Sequence, residues 1–392
     1  AVEDRLSDAL HERLTQKFVD RRTAALLKSL RERGELAAEI EPGGEVVVDG
    51  HSVGTLEGFV FTLGASGLET EHRLFAGAAR RAVARHLDRL AAELVKEPDG
   101  AFTIIGGELV WRDAVVATIR PGPVRLRPSV AVTATDELTT KARLAIERRL
   151  EARLRAWLED RLGPLFALEA ASRSEALSAA ARGIAYRLVE AFGMLDAAEA
   201  AGLVRQLDSA DRKAVARFGV RLGVHHIFLP ALLKPAAQEA GALLVALASG
   251  TAAWQPTAGR VALRGDELPA DGMALAALGF RRIGRLALRV DMVERVAAQL
   301  RRLARGEAQF SLPAELVSAT GLGRDEFMEL LPGLGFRAMA PAADDVPAGA
   351  INIRRAKPRR RPSAAHRKER AQAGPSQSPF AVLARLKVAA GA

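Results

Sequence analysis

Apolar residues follow helical spacing in some parts of the chain and strand spacing in others. Residues 1–33 predict one helix, because Phe18 and a series of leucines recur at three-, four- and eight-residue steps. Amphipathic helices are also predicted over about 69–96, 136–162 and 291–305. β-Branched runs between them are typical of short strands. The pattern predicts a mainly α protein with small β-hairpins, in the α+β class.

An internal duplication accounts for part of the change between helical and strand patterns along the chain. Residues 43–63 and 106–119 both begin Gly-Gly-Glu and continue with apolar residues to a two-residue turn, Asp49-Gly50 or Arg112-Asp113. Asp-Gly between two such runs is a hairpin signal. One of the long helices follows each copy. We therefore predict two hairpin-plus-helix modules, the second with an extra strand-like segment from Val124 to Val132.

A helix–turn–helix pattern occupies residues 310–336, with its tight turn at 320–323. Its second helix carries Asp325, Glu326 and Glu329, whereas a DNA-reading helix normally presents basic or amide side chains. A winged-helix-like packing module is therefore favoured over a sequence reader. The sequence Leu-Gly-Phe-Arg occurs at 278–281 and again at 334–337, which indicates a second, degenerate repeat.

Five segments follow from these patterns. They are an N-terminal helix over 1–42, duplicated hairpin–helix modules over 43–163, a helical domain over 164–250, a winged-helix-like accessory domain over 251–341, and a disordered basic tail over 342–392.

Composition narrows the class of protein. The 392 residues are 49% apolar, enough for several packed cores, and include no cysteine. Disulfides, thiolate zinc sites, iron–sulfur clusters and a cysteine nucleophile are therefore excluded. No apolar run is long enough to span a membrane, and the charged start does not read as a signal peptide. We expect a cytoplasmic protein without membrane contact.

Charge is concentrated in the tail. Residues 351–392 hold eleven Lys or Arg and one acid, which equals the net charge of +10 for the whole chain. A basic, proline-broken stretch predicts a disordered arm whose guanidinium groups pair with nucleic-acid phosphates. A solubilising or protein-docking tail is the alternative. Near the end, Phe380, Leu383 and Leu386 could dock on a protein partner or pack back on the body.

Catalytic motifs are missing from the sequence. There is no phosphate-binding loop, because Gly-Lys never occurs, and there is no acidic metal motif, nucleophile elbow or zinc-binding histidine pair. His225 and His226 are adjacent, so they cannot both face one metal ion. The chain is predicted to be inactive alone, to need no cofactor and to contain no catalytic or metal-binding residue.

Basic residues in Gly- and Pro-interrupted segments are the candidate nucleic-acid contacts, because the rest of the body is charge-balanced. In the body they are Arg217, Arg221, His225, His226 and Lys234, followed by Arg281, Arg282 and Arg285. In the tail they are Arg354, Arg355, Lys357, Arg359, Arg360 and Arg361.

Three segments carry a family resemblance: ALHERLTQKFVDRRTAALLKSLRE at the start, RFGVRLGVHHIFLPALLKP at 217–235 and SPFAVLARLK near the end. In that order they resemble the region after the motor in superfamily-2 helicases of alphaproteobacteria, similar to the RNA helicase of the mitochondrial degradosome. The resemblance implies accessory modules that guide single-stranded RNA or DNA. It also implies upstream motor domains in the same polypeptide, and these would hold ATP and Mg.

No motor motif matches this sequence, so no catalytic residue is carried over. The chain is either a fragment of an ATP-dependent helicase, which the missing initiator Met also suggests, or a relative without a motor. A trimmed or processed start is an equal explanation of the missing Met. The second functional hypothesis is a stand-alone, non-enzymatic adaptor that binds a protein partner and docks on RNA through its basic tail.

Overall fold

The computed structural model describes residues 37–64, 69–254, 257–269, 272–306, 309–339 and 352–356. It divides into two compact units, Ala1–Glu294 and Arg295–Ala392. The α+β class is confirmed, because helices and small antiparallel sheets share the chain. The predicted helix over 1–33 and the candidate docking residues Phe380, Leu383 and Leu386 lie outside the described residues.

Two four-stranded antiparallel sheets, each followed by a long helix, form the first part of the fold. The first module consists of β1 (Ala38–Ile40), β2 (Glu45–Val48), β3 (His51–Glu57), β4 (Val60–Leu63) and α1 (Glu69–Lys96). The second consists of β5 (Phe102–Ile105), β6 (Glu108–Trp111), β7 (Ala114–Val124), β8 (Arg127–Val132) and α2 (Thr140–Ser172).

The backbone repeats between the two modules in detail. Both predicted turns have positive φ at both central residues, 51° and 79° at Asp49-Gly50 and 49° and 63° at Arg112-Asp113, as in a type I′ hairpin. A register shift follows the first apolar residue of β2 and of β6 alike. The segment predicted as an extra strand of the second copy is not extra, because β4 takes the place of β8 in the first copy.

Helix α2 extends beyond its predicted end near 162, through Pro164 to Ser172. Leu162 has non-helical backbone angles just before the proline, so the helix kinks there and then continues. Its buried stripe includes Leu150, Leu154 and Leu158, which belong to the main core of the first unit. The predicted boundary at 163–164 therefore falls inside one helix.

A short helical region follows and holds a three-stranded sheet in the order β10-β11-β9. Its elements are α3 (Ala179–Glu190), β9 (Met194–Asp196), α4 (Ala201–Gln206), α5 (Ser209–Arg217), β10 (Arg221–Leu222) and β11 (His226–Phe228). Asp208 and Asp211 form a capping box that starts α5.

Two winged-helix-like modules come next. The first consists of α6 (Pro235–Ser249), β12 (Ala262–Leu263), a 3-10 turn (Gly265–Glu267), α7 (Gly272–Ala277), β13 (Phe280–Ile283) and β14 (Leu286–Arg289). The second consists of α8 (Val290–Gly306), β15 (Gln309–Ser311), α9 (Ala314–Ser318), α10 (Arg324–Leu330), β16 (Phe336–Ala338) and β17 (Asn352–Arg355). In each, the last strand pairs with both others, in the orders β12-β14-β13 and β15-β17-β16.

The repeated Leu-Gly-Phe-Arg sequence marks equivalent positions in these two modules. Gly279 and Gly335 have φ of 78° and 85° and end a helical segment, and the next residue is a buried Phe that begins a strand. Phe280 lies opposite Arg289, and Phe336 lies opposite Arg355 in the same register. The degenerate repeat is therefore a repeat of structure.

Three further predicted boundaries differ from the structure. The first module was expected from residue 43, but β1 (Ala38–Ile40) already belongs to its sheet. A single accessory domain was expected over 251–341, but α6 already belongs to the first winged-helix-like module, because its Ala242 packs with Leu263 and Phe280. The tail was expected from 342, which is wrong for Asn352–Arg355, the central strand of a sheet. Ile353 is fully buried there, and its single apolar side chain was hidden in the sequence by the arginines around it.

Candidate nucleic-acid interface

The turn between β10 and β11 lies at the centre of the most distinctive sequence segment. The Gly223 N–H donates to the His226 carbonyl at 2.8 Å and closes the turn. A Cβ on Gly223 would lie 2.5 Å from both that carbonyl oxygen and the carboxyl carbon of Glu294. Only glycine fits here, because a side chain would occupy the place of the Glu294 carboxylate.

Three consecutive backbone N–H groups of this turn converge on Glu294, a residue of α8. Val224 donates to Oε2 at 2.8 Å, and His225 and His226 both donate to Oε1 at 2.8 Å. Burial alone would raise the pKa of Glu294. The nearby His226 ring, 3.4 Å away, and the hydrogen bonds from the three N–H groups outweigh burial and lower this pKa to about 2. The carboxylate is therefore ionised at neutral pH and fixes the hairpin to the helix.

The structure places His226 in the interior, whereas it was expected from the sequence to be a nucleic-acid contact. The residue is 2% exposed and its side chain 3%, so the ring is not part of the exposed surface. Nδ1 of its ring lies 3.4 Å from Glu294 Oε1, outside hydrogen-bond geometry, and has no other hydrogen-bond partner among the described residues. We therefore remove the His226 imidazole from the surface contacts expected from the sequence.

The other predicted residues of this segment lie at or near the surface. Arg217 ends α5, Arg221 begins β10 and Lys234 precedes α6, and all three are exposed. His225 is half-buried. They share a local segment around the small sheet, and Val224 at the tip of its turn is 61% exposed.

The first wing, β13 and β14, holds three predicted arginines. Arg282 and Arg285 are exposed, and Arg281 is half-buried opposite the buried Leu288. Arg282 donates to the Gly284 carbonyl at 3.3 Å, across the turn of the hairpin. This wing therefore exposes positive charge at Arg282 and Arg285, near its tip, and less of it at Arg281.

The second wing, β16 and β17, presents its charge openly. Arg354 lies directly opposite Arg337, and both are exposed. Their neighbours Ile353 and Ala338 face the other side of the sheet, because successive strand residues alternate between faces. Arg355 is exposed at the end of the strand, and Lys357, Arg359, Arg360 and Arg361 follow directly in sequence but lie outside the described residues.

Basic and acidic side chains lie on different helices of the second unit. The part of α8 from 295 to 306 contains four arginines and no acid, and Arg295, Arg302 and Arg305 are exposed. The helix–turn–helix is acidic, because α9 and α10 carry four acids and one arginine. A phosphate backbone would therefore be attracted to the wing and to α8, and repelled by α10.

Sequence reasoning missed two residues of this candidate interface. Glu294 lies between the buried Val293 and Val296 in α8, and an acid within an apolar stripe was the available signal. Arg337 follows Phe336 as Arg281 follows Phe280, so the Leu-Gly-Phe-Arg repeat already marked it.

Within the described part of the chain, no group of His, Asp and Glu side chains is arranged to hold a metal ion. No described helix is both long and apolar enough to cross a membrane. No protein-family model, curated protein or solved structure matches the chain. The resemblance to helicases therefore stays a prediction.

Proposed function

We propose that this chain is a nucleic-acid-binding accessory region of an ATP-dependent helicase, which guides a single strand of RNA or DNA beside a motor in the same polypeptide. The single observation that carries the binding role is the exposed Arg337–Arg354 pair on the outer face of the second wing. The helicase context rests on the sequence resemblance. The cytoplasmic location and the absence of a resident cofactor are parts of the same proposal.

The charge distribution favours binding that does not depend on base sequence. Arginine pairs with phosphate through parallel N–H groups, and such contacts position a strand without reading its bases. The helices that read bases in many helix–turn–helix proteins are unsuited here. Helix α7 carries no charged residue, and α10 carries three acids. The strand would therefore lie along the wing, and the basic residues after Ala356 would extend its path.

The test is fluorescence anisotropy of a labelled single-stranded oligonucleotide with the full chain and with Arg337→Ala/Arg354→Ala. We expect the double substitution to weaken binding about tenfold at low salt, because two phosphate contacts are lost. Arg324→Ala is the matched control, since Arg324 is an exposed arginine at the start of the acidic helix α10. Equal affinities of all three proteins would show that the wing is not the binding surface.

A further inference from the structure

We propose that the turn Gly223–His226 is an oxyanion site for a backbone phosphate of the bound strand, and that Glu294 occupies this site as an internal substitute until the strand arrives. This inference rests on the proposed function, because it takes a nucleic-acid phosphate as the ligand.

The geometry of the turn is that of an anion-binding nest. Three successive N–H groups point at one anion, each at 2.8 Å. The lack of a side chain at Gly223 leaves the concavity open, because a Cβ there would lie 2.7 Å from Glu294 Oε2. Such nests bind phosphate as readily as carboxylate, because the donors belong to the backbone and need no particular partner.

A carboxylate does not fill the site completely. Glu294 has two oxygens for four converging nitrogen atoms, and His226 Nδ1 is left buried at 3.4 Å without a hydrogen bond. A tetrahedral phosphate offers further oxygens, one of which could accept a hydrogen bond from that nitrogen. His226 is only 2% exposed, and its ring nitrogen lacks a hydrogen bond. The site therefore fits a larger oxyanion than the Glu294 carboxylate.

The surroundings suit a nucleic-acid strand. The Glu294 side chain is 16% exposed, so the site has an opening on that side. The exposed Arg221 lies on the same hairpin, and the tip residue Val224 offers an apolar surface next to the site. A phosphate entering the nest would place its neighbouring nucleotides against this hairpin.

The experiment uses the full chain with Glu294→Ala, which empties the nest, and Glu294→Gln, which removes the same charge but leaves an amide in place. Inorganic phosphate is titrated into each protein, while the melting temperature and the amide NMR signals of Val224, His225 and His226 are followed. We expect phosphate to raise the melting temperature of Glu294→Ala to a plateau and to shift these three signals. Glu294→Gln should not respond.

The second arm compares oligonucleotide binding. Glu294→Ala should bind a single strand about tenfold more tightly than Glu294→Gln, because one charge-assisted contact is gained at equal net charge. If Glu294→Ala does not fold, Glu294→Ser takes its place, since its short side chain also leaves the nest open and its net charge equals that of Glu294→Gln.

Three results would overturn the proposal or the function on which it rests. No response to phosphate in the emptied nest would overturn the proposal and make the turn an attachment of the hairpin to α8 only. If Glu294→Ala binds phosphate but binds the oligonucleotide no more tightly than Glu294→Gln, a nucleic-acid strand is not the ligand of the site. If the wild-type chain binds no oligonucleotide, the proposed function fails, whereas the phosphate titration still determines whether the turn is an anion site.

Discussion

Replacing Glu294 by Gln should destabilise the first unit by about 3 kcal/mol at pH 7. The pKa of Glu294 falls from its ordinary value of 4.5 to about 2 on folding. A difference of about 2.5 pKa units, at roughly 1.36 kcal/mol for each unit, gives a net stabilisation of about 3 kcal/mol by the ionised form. Gln cannot reproduce it, because its NH₂ group would face one of the three backbone donors.

The stability lost in Glu294→Gln should become smaller as the pH falls. Because the pKa of Glu294 is depressed in the folded state, its stabilisation is fully present above pH 4.5 and is lost as the pH falls through about 2. About 1.4 kcal/mol should remain at pH 3.

Urea unfolding of wild type and Glu294→Gln, followed by circular dichroism at pH 7 and pH 3, measures both quantities. Glu239→Gln is the control, because this glutamate is 42% exposed and its carboxylate lies 3.5 Å from Arg161 in a surface pair that is worth roughly 0–1 kcal/mol. A loss below about 1 kcal/mol in Glu294→Gln, or a loss that does not shrink at pH 3, would refute the reasoning.

Four further substitutions test the local geometry. Gly223→Ala should cost roughly 1–3 kcal/mol in urea unfolding, because its Cβ would overlap the Glu294 carboxylate. Gly202→Ala, in open space within α4, should instead stabilise by about 0.5–1 kcal/mol, and similar values for the two would contradict the close contact. In the repeated type I′ turns, Asp113→Gly should raise the thermal midpoint, because φ is 63° there. Gly50→Ala should lower it, and the same direction of change in both would contradict the assigned turn geometry.

Features that depend on neighbouring residues were predictable from the sequence. The turn at Asp49-Gly50 was readable because its two residue types favour positive φ. The turn before α10 was readable for a similar reason, since Gly321 has φ of 68°. The duplication was visible because both copies keep the same turn and the same Gly-Gly-Glu start.

Features that depend on distant residues were not predictable. The bond between Val224 and Glu294 joins residues 70 positions apart, and no local pattern encodes such a pair. The strand Asn352–Arg355 pairs with β15, more than forty positions earlier, and its composition matched that of a basic tail. His226 was assigned to the surface by its residue type, whereas its ring is buried beside Glu294, a residue 68 positions away.

Strand β17 (Asn352–Arg355) determines where a shortened chain without the basic tail should end. Ending the chain at residue 350 would remove β17, which pairs with both other strands of its sheet. Ending it at Ala356 removes nine Lys or Arg and one acid and keeps every residue that the structure describes. Residues 1–356 therefore separate the wing from the basic segment that follows it.

The most direct test of the binding role is the salt dependence of oligonucleotide affinity for residues 1–392 and 1–356. Each phosphate contact on a single strand contributes about 0.7 to the slope of log affinity against log salt. We predict that 1–356 still binds, with a slope that is shallower than that of the full chain. If 1–356 shows no binding at low salt while the full chain binds, the wing and α8 are not the nucleic-acid surface, and the account is contradicted.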